Sequence, residues 1–416
     1  MKKGKLLKVI EKYLQKYAEP LAHNAIDIPG EYDFVAVIPA YDETSLFLQQ
    51  PGFAQNGNNL VVLVVNAPEE GGDKGALIRT KLLLDGLSES MVSKWCSDTG
   101  LELFYNEEYG YSLLAVDCVS DGKRIPVKMG VGLARKIGAD IAVNLIHYKK
   151  IRSPIIYSTD ADVQIPDGYF SALADSYKDS AGYVYSFAHG VEEERLDLAM
   201  QLYELSLHYY VAGLEYAGSS YAFHTIGSCL AFDYQAYAHV RGFPRRAAGE
   251  DFYLLNKLAK VGNITSLSDP VIKVAGRGSE RVPFGTGPAI NKITQFDQPM
   301  MSYKFYNPVI FEYLRTFMQV MPKFFYNNNA AGLIPEVKSA LKDIGFLNVV
   351  SKLRDHAKNE AQFLRSSIDW FDAFKTLKFI HYMRDNGFPS VLVSDLRCCD
   401  FVSDLIVRYP TLFEGE

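Results

Sequence analysis

The sequence predicts an α/β fold: a mostly parallel central sheet with helices on both faces, followed by a mainly helical carboxyl-terminal extension. Three observations predict it. Short apolar runs, several of them β-branched, recur at residues 32–38, 60–66, 111–117 and 155–159, as expected of strands buried on both faces. Helical segments lie between several of these runs, and strands alternating with helices select a doubly wound, largely parallel sheet. Beyond residue 296 the stretches become aromatic and helical, including 311–321, 337–341 and 370–382.

Taken in order, the chain opens with a basic amphipathic helix, expected within residues 1–29. Its apolar run is broken by Glu11, Lys12 and Lys16 before it reaches the length of a signal-peptide core. The first strand, 32–38, is stopped by Pro39 and followed by the polar group Asp42-Glu43-Thr44. The second, 60–66, ends at Asn66 and Pro68, and an acidic, glycine-bearing loop leads to a helix beginning near Ala76. After the third strand a glycine-flanked helix spans Lys128 to Asp140 with a stop at Gly138; its amino terminus beside Lys128 is a place for an anionic group. The fourth strand ends in Asp160-Ala161-Asp162. Residues 196–217 form an aromatic helix whose tyrosines suit a core. His224 to Asp233 is a loop entering a strand, and Arg241 to Pro244 is a turn. A helix then starts at Glu250-Asp251, where two acids favour the helix dipole. Asn327-Asn328-Asn329 and Pro335 mark a loop between later helices. The expected organisation is therefore an amino-terminal helix (1–29), an α/β domain (30–295) and a helical extension (296–416).

Composition narrows the classes of function. With 48% hydrophobic and 22% charged residues among 416, the chain is an ordinary globular protein. A net charge of -6 opposes non-specific nucleic-acid binding. Five cysteines, Cys96, Cys118, Cys229, Cys398 and Cys399, show no C-x-x-C spacing and point to a reducing cytoplasm. No apolar run approaches the roughly 20 residues of a membrane span, although the basic first helix leaves peripheral membrane contact open.

Asp160 and Asp162 carry most of the chemical information. They stand at the carboxyl end of a buried strand, where open α/β sheets bind ligands. Hard carboxylate oxygens one residue apart suit Mg²⁺ or Mn²⁺ bridging a diphosphate. An isolated Asp-x-Asp is a common surface turn; its company gives it meaning.

Four segments in order resemble the family 2 glycosyltransferases of the GT-A fold over residues 30 to 290. Val37-Ile38-Pro39-Ala40-Tyr41-Asp42-Glu43 is similar to the opening strand and loop, with Asp42 where Asn is usual. Lys128 to Gly138 is similar to the segment G-x-x-x-A-R-N-x-G, with Arg135 in place and Lys136 for Asn. Asp160-Ala161-Asp162 resembles the metal and nucleotide-diphosphate motif, and Glu250-Asp251 the acidic pair whose Asp acts as general base. The resemblance implies a UDP- or GDP-type sugar donor and an acceptor of unknown kind; a one-step displacement would invert the anomeric centre, and the sequence leaves a retaining course open. It implies catalytic Asp251 with Glu250, and Mg²⁺ or Mn²⁺ at Asp162 and Asp160. Pro39, Ala40, Asp42, Glu43, Lys128, Arg135, Asp160, Ala161 and Asp162 would face the nucleotide sugar. His224 and Ser228 would meet donor or acceptor, and Arg277 and Arg281 the diphosphate. Two other readings compete. A degenerate domain would bind a nucleotide sugar or act as a scaffold, and a phosphatase of the haloacid-dehalogenase type would use Asp160 as nucleophile.

Overall fold

The computed structural model describes residues 3–55, 57–174, 180–190, 194–276, 285–327 and 332–414. The chain forms two compact units, Met1–Gly190 with Thr225–Ala275, and Val191–His224 with Gly276–Glu416. This division departs from the linear one expected. The amino-terminal helix is part of the first unit, and the aromatic helix Glu194–Tyr216 belongs to the second.

The first unit is built on a ten-stranded mixed sheet. Its strands are β1 (Val35–Ala40), β2 (Leu60–Asn66), β3 (Val92–Cys96), β4 (Leu101–Asn106), β5 (Tyr111–Cys118), β6 (Ile155–Ser158), β7 (Val163–Gln164), β8 (Ser180–Gly190), β9 (Leu230–Asp233) and β10 (Asn263–Ala275). Their spatial order is β3-β4-β5-β2-β1-β6-β9-β8-β10-β7. The four strands expected from the apolar runs form one contiguous parallel block, β5-β2-β1-β6. Around it lie antiparallel additions, the β3-β4 hairpin on one side and β9 between β6 and β8 on the other.

Two sequence expectations needed correcting at glycine and proline. Pro39 does not stop β1, which runs on to Ala40. A residue's N–H and C=O leave a strand on the same side, alternating along the chain. The Val37 carbonyl accepts from Thr159 N at 3.0 Å on the β6 side, so Pro39 faces that side beyond Ser158, where β6 has ended. Its missing N–H therefore costs no ladder bond. Gly138 does not stop its helix either: the helix spans Gly130–His147. A side chain at Gly138 would collide with Val37 and Val64, so this glycine lets the helix lie close against β1 and β2. The opposite face of β6 carries Tyr157, which packs against Tyr169, Phe170 and Phe34 and donates to the Phe170 carbonyl at 2.8 Å.

The amino-terminal helix Lys3–Lys16 buries Ile10, Tyr13 and Leu14 within the first unit. Its Tyr13 hydroxyl meets Asp140, which also accepts from Lys136 Nζ at 2.8 Å, Glu19 N at 2.8 Å and the Tyr237 hydroxyl at 3.2 Å. Lys136, standing where the resembled motif has Asn, is thus one half of a buried ion pair.

The second unit is mainly helical. Its core includes Tyr209, Phe311, Phe317, Phe346, Phe363 and Phe379, from the helices Glu194–Tyr216, Pro308–Val320, Phe346–His356, Glu360–Trp370 and Ala373–Asp385. The Glu194–Tyr216 aromatics do serve as core, with Tyr209 ring-packed on Phe305, Phe311 and Phe401. Among the described residues no helix is long and apolar enough to cross a membrane. Of the expected loop at Asn327-Asn328-Asn329, the last two residues lie outside those described.

Candidate active site

The carboxyl end of β6 presents Asp160, Ala161 and Asp162 beyond a fully buried Ser158-Thr159. The chain is fixed there from both sides. The Asp162 carbonyl accepts from Ala275 N at 2.9 Å, at the end of β10. The Gln50 amide donates to the Val163 carbonyl at 2.9 Å and accepts from Ile165 N at 2.6 Å. Pro270 sits in β10 at a register shift, where residues 268–270 have no partner on β8, so the strand still reaches Asp162.

Arg135 gathers the acids. It projects from the Gly130–His147 helix and is only 3% exposed. Nε donates to Glu250 Oε1 at 2.8 Å, and Nη2 to Asp160 Oδ1 at 2.6 Å. Nη1 donates to Ser158 Oγ at 3.0 Å and to the Thr159 carbonyl at 3.2 Å. Glu250 and Asp251 open the helix Glu250–Leu258. One guanidinium thus holds together groups 115 and 25 residues away in sequence.

Asp251 lies beside this pair, half-buried. Burial first, and the Glu250 and Asp160 charges with it, push its carboxyl up from 3.8 to about 7, against the lowering effects of the Phe252 N–H and Arg135. A carboxylate poised near neutral pH suits a general base. Gly227 closes over this corner. A Cβ there would stand 2.5 Å from Arg135 Nη2 and 3.4 Å from Asp251 Oδ2. Cys229, fully buried nearby, has its thiol pushed up to about 12 by burial and is inert as a nucleophile.

Asp42 has a left-handed backbone (φ 58), which Asp and Asn tolerate better than most residues. Its N–H donates to Thr80 Oγ1 at 2.9 Å and its carboxylate accepts from Arg79 Nε at 2.6 Å. The helix Lys74–Asp85 therefore holds the loop after β1. Pro39 and Ala40 are buried strand residues, and Glu43 follows Asp42 in the same loop.

Several expected residues fall elsewhere. Lys128 is exposed ahead of the Gly130–His147 helix, but that helix start is engaged. Gly132 N donates to the Arg246 carbonyl at 3.0 Å, and Gly130 N and Leu133 N to the Pro126 and Met129 carbonyls. Gly130 N and Gly132 N at this terminus are thus hydrogen-bonded within the protein. His224 belongs to the second unit, where its ring meets His208. Burial, assisted by Arg408, lowers its pKa to about 4. It is not among the residues gathered at Arg135. Ser228 is buried, next to Gly227 in sequence. Arg277 and Arg281 lie outside the described residues.

Ser158, Thr159, Gly227, Gln50 and Arg79 emerge only in three dimensions. The Gly227-Ser228 pair lay in the segment read as entering β9, but nothing local signals the Arg135 contact.

The donor set also bears on metal binding. Among the described residues no group of three or more His, Cys, Asp or Glu side chains is placed to hold an ion by itself. Two carboxylates at a strand end fit instead an ion that takes its other ligands from phosphate.

The fold and site define an α/β protein with an acid cluster at the carboxyl end of its parallel strands. No family model matches this chain, and no curated protein matches it. Among solved structures it is similar to S. aureus TarS 1-349 in complex with UDP-GlcNAc, at 10% identity over 80% of this chain and 90% of that one, with a TM-score of 0.38. It is also similar to the mannosyltransferase PcManGT from Pyrobaculum calidifontis in complex with GDP-Man and Mn²⁺, at 16% identity over 88% and 95%, with a TM-score of 0.35.

Proposed function

We propose that the first unit transfers a sugar from a nucleoside-diphosphate donor to an acceptor hydroxyl, with inversion. The observation that supports it most is the convergence of Asp160, Glu250 and Asp251 on one buried arginine at the end of β6. Asp162 and Asp160 would hold Mg²⁺ or Mn²⁺, which when bound offsets charge on the departing diphosphate. The chain's own residues do the rest. Asp251 accepts the acceptor proton as the acceptor oxygen bonds to the anomeric carbon, while the bond to the diphosphate oxygen breaks and its electron pair leaves with the nucleotide. Asp42 and Glu43, on the braced loop after β1, orient the nucleoside. Arg135 and Glu250 keep the acids in place.

Lys136, which departs from the resembled motif, is accounted for by its pairing with Asp140, so it does not favour a degenerate site. Asp160 has one carboxylate oxygen held by Arg135, which disfavours it as a phosphatase nucleophile.

A thermal-shift series with UDP- and GDP-sugars, with and without Mn²⁺, tests the proposal. A donor that binds the folded chain raises its melting temperature, and the expected shift depends on Mn²⁺ and disappears in Asp162→Ala. The proposal fails if no nucleotide sugar shifts the wild type.

A further inference from the structure

We propose that Arg135 is a positioning residue and not a nucleotide contact: its buried guanidinium fastens the donor-side Asp160 and the base-side Glu250 into one frame, which fixes where Asp251 stands. This rests on the transferase reading above and assigns a task within it.

The geometry leaves Arg135 little else to do. A guanidinium has five N–H groups, and the four hydrogen bonds to Glu250, Ser158, Thr159 and Asp160 use four of them. The side chain is buried under Gly227, whose Cα leaves no room for a Cβ beside Nη2. A planar fork that meets two carboxylates and a carbonyl at once fixes both distance and angle, which an ammonium at the same place does not. Because its partners come from the loop after β6 and from the start of the Glu250–Leu258 helix, movement at either acid is passed to the other. The charged groups around Asp251 are Glu250 on its own helix, Arg135 and Asp160. Gly227 packs there without adding charge.

Three variants test the proposal: Arg135→Gln, Arg135→Lys and Gly227→Ala, the last displacing the guanidinium without removing it. Binding of UDP and GDP with Mn²⁺ is measured by calorimetry, and turnover by release of nucleoside diphosphate from the nucleotide sugar. The expected result is a split. Nucleotide Kd stays within about threefold while kcat falls by about 100-fold in Arg135→Gln, the loss typical of a misplaced reacting group. The acid limb of the kcat profile also moves to higher pH, because a positive charge beside Asp251 is gone, and Glu250→Gln in the same chain moves it back.

A tenfold or greater loss of nucleotide affinity with an unmoved limb would make Arg135 a nucleotide contact and overturn the proposal. Lowered stability with an unmoved limb would make it a structural residue, with the same consequence. Should the Arg135 variants fail to fold by circular dichroism, Gly227→Ala carries the same two readouts. Variants that match an active wild type sink this proposal alone. A wild type that turns over no nucleotide sugar sinks the transferase reading and this one with it.

Discussion

Arg135 and Lys136 are neighbours on one helix, both buried, and they serve opposite ends. Lys136 meets one carboxylate, Asp140, whose remaining partners are the Tyr13 and Tyr237 hydroxyls and the Glu19 N–H. One cation faces one anion and the rest is hydrogen bonding, so this cluster is electrically complete. Arg135 faces Asp160, Glu250 and Asp251, and one cation cannot neutralise three acids. Burial, and with it that deficit, leaves Asp251 holding a proton up to about pH 7. The Lys136 cluster is balanced within itself, whereas the Arg135 cluster, at a strand's carboxyl end, is the one on which the proposed chemistry rests.

The contrast can be broken at its structural half first. Lys136→Ala strands Asp140 in a fully buried position, and removing one partner of a buried pair costs about 3–5 kcal/mol. Chemical denaturation should show that loss, while the pH dependence of turnover in the remaining folded protein stays where it was. A moved pH limb would mean that the two clusters are not separate.

A smaller effect sharpens the working half. Asp251 holds its proton more tightly folded than unfolded, since its pKa rises from 3.8 to about 7. Its contribution to stability is therefore complete below about pH 4 and is lost as the pH rises through about 7. Asp251→Asn escapes that loss. Its melting temperature should exceed the wild type's at pH 8 and match it near pH 4, as scanning calorimetry would record. A gain at pH 4 equal to that at pH 8 would remove Asp251 from the unsatisfied cluster.

Much of the first unit was legible in the sequence, and the reasons are local. β1, β2, β5 and β6 are apolar runs buried on both faces, so composition alone reveals them. β8 and β10 were missed because Gly182 and Pro270 interrupt their patterns, and β3 because its residues are largely exposed. At the site, Asp160, Asp162, Glu250 and Asp251 stood out by motif. The union of Asp160, Glu250 and Asp251 around Arg135 did not, since a contact spanning 115 residues leaves no periodic trace. Lys136 looked like a departure from a pattern because only part of its setting is local: Asp140 lies four residues on, but the Tyr13 hydroxyl it also meets lies 123 residues earlier.

The claim that Asp251 is the base of an under-neutralised acid cluster meets its most direct test in a pH profile. Release of nucleoside diphosphate from a bound nucleotide sugar, with water or an identified acceptor, is followed from pH 5 to pH 9. The account predicts that kcat/KM falls about tenfold per pH unit below a limb near pH 7, and that Asp251→Asn lowers the plateau by about 10²–10⁴-fold. A rate that stays level down to pH 5, or full turnover in Asp251→Asn, would contradict it.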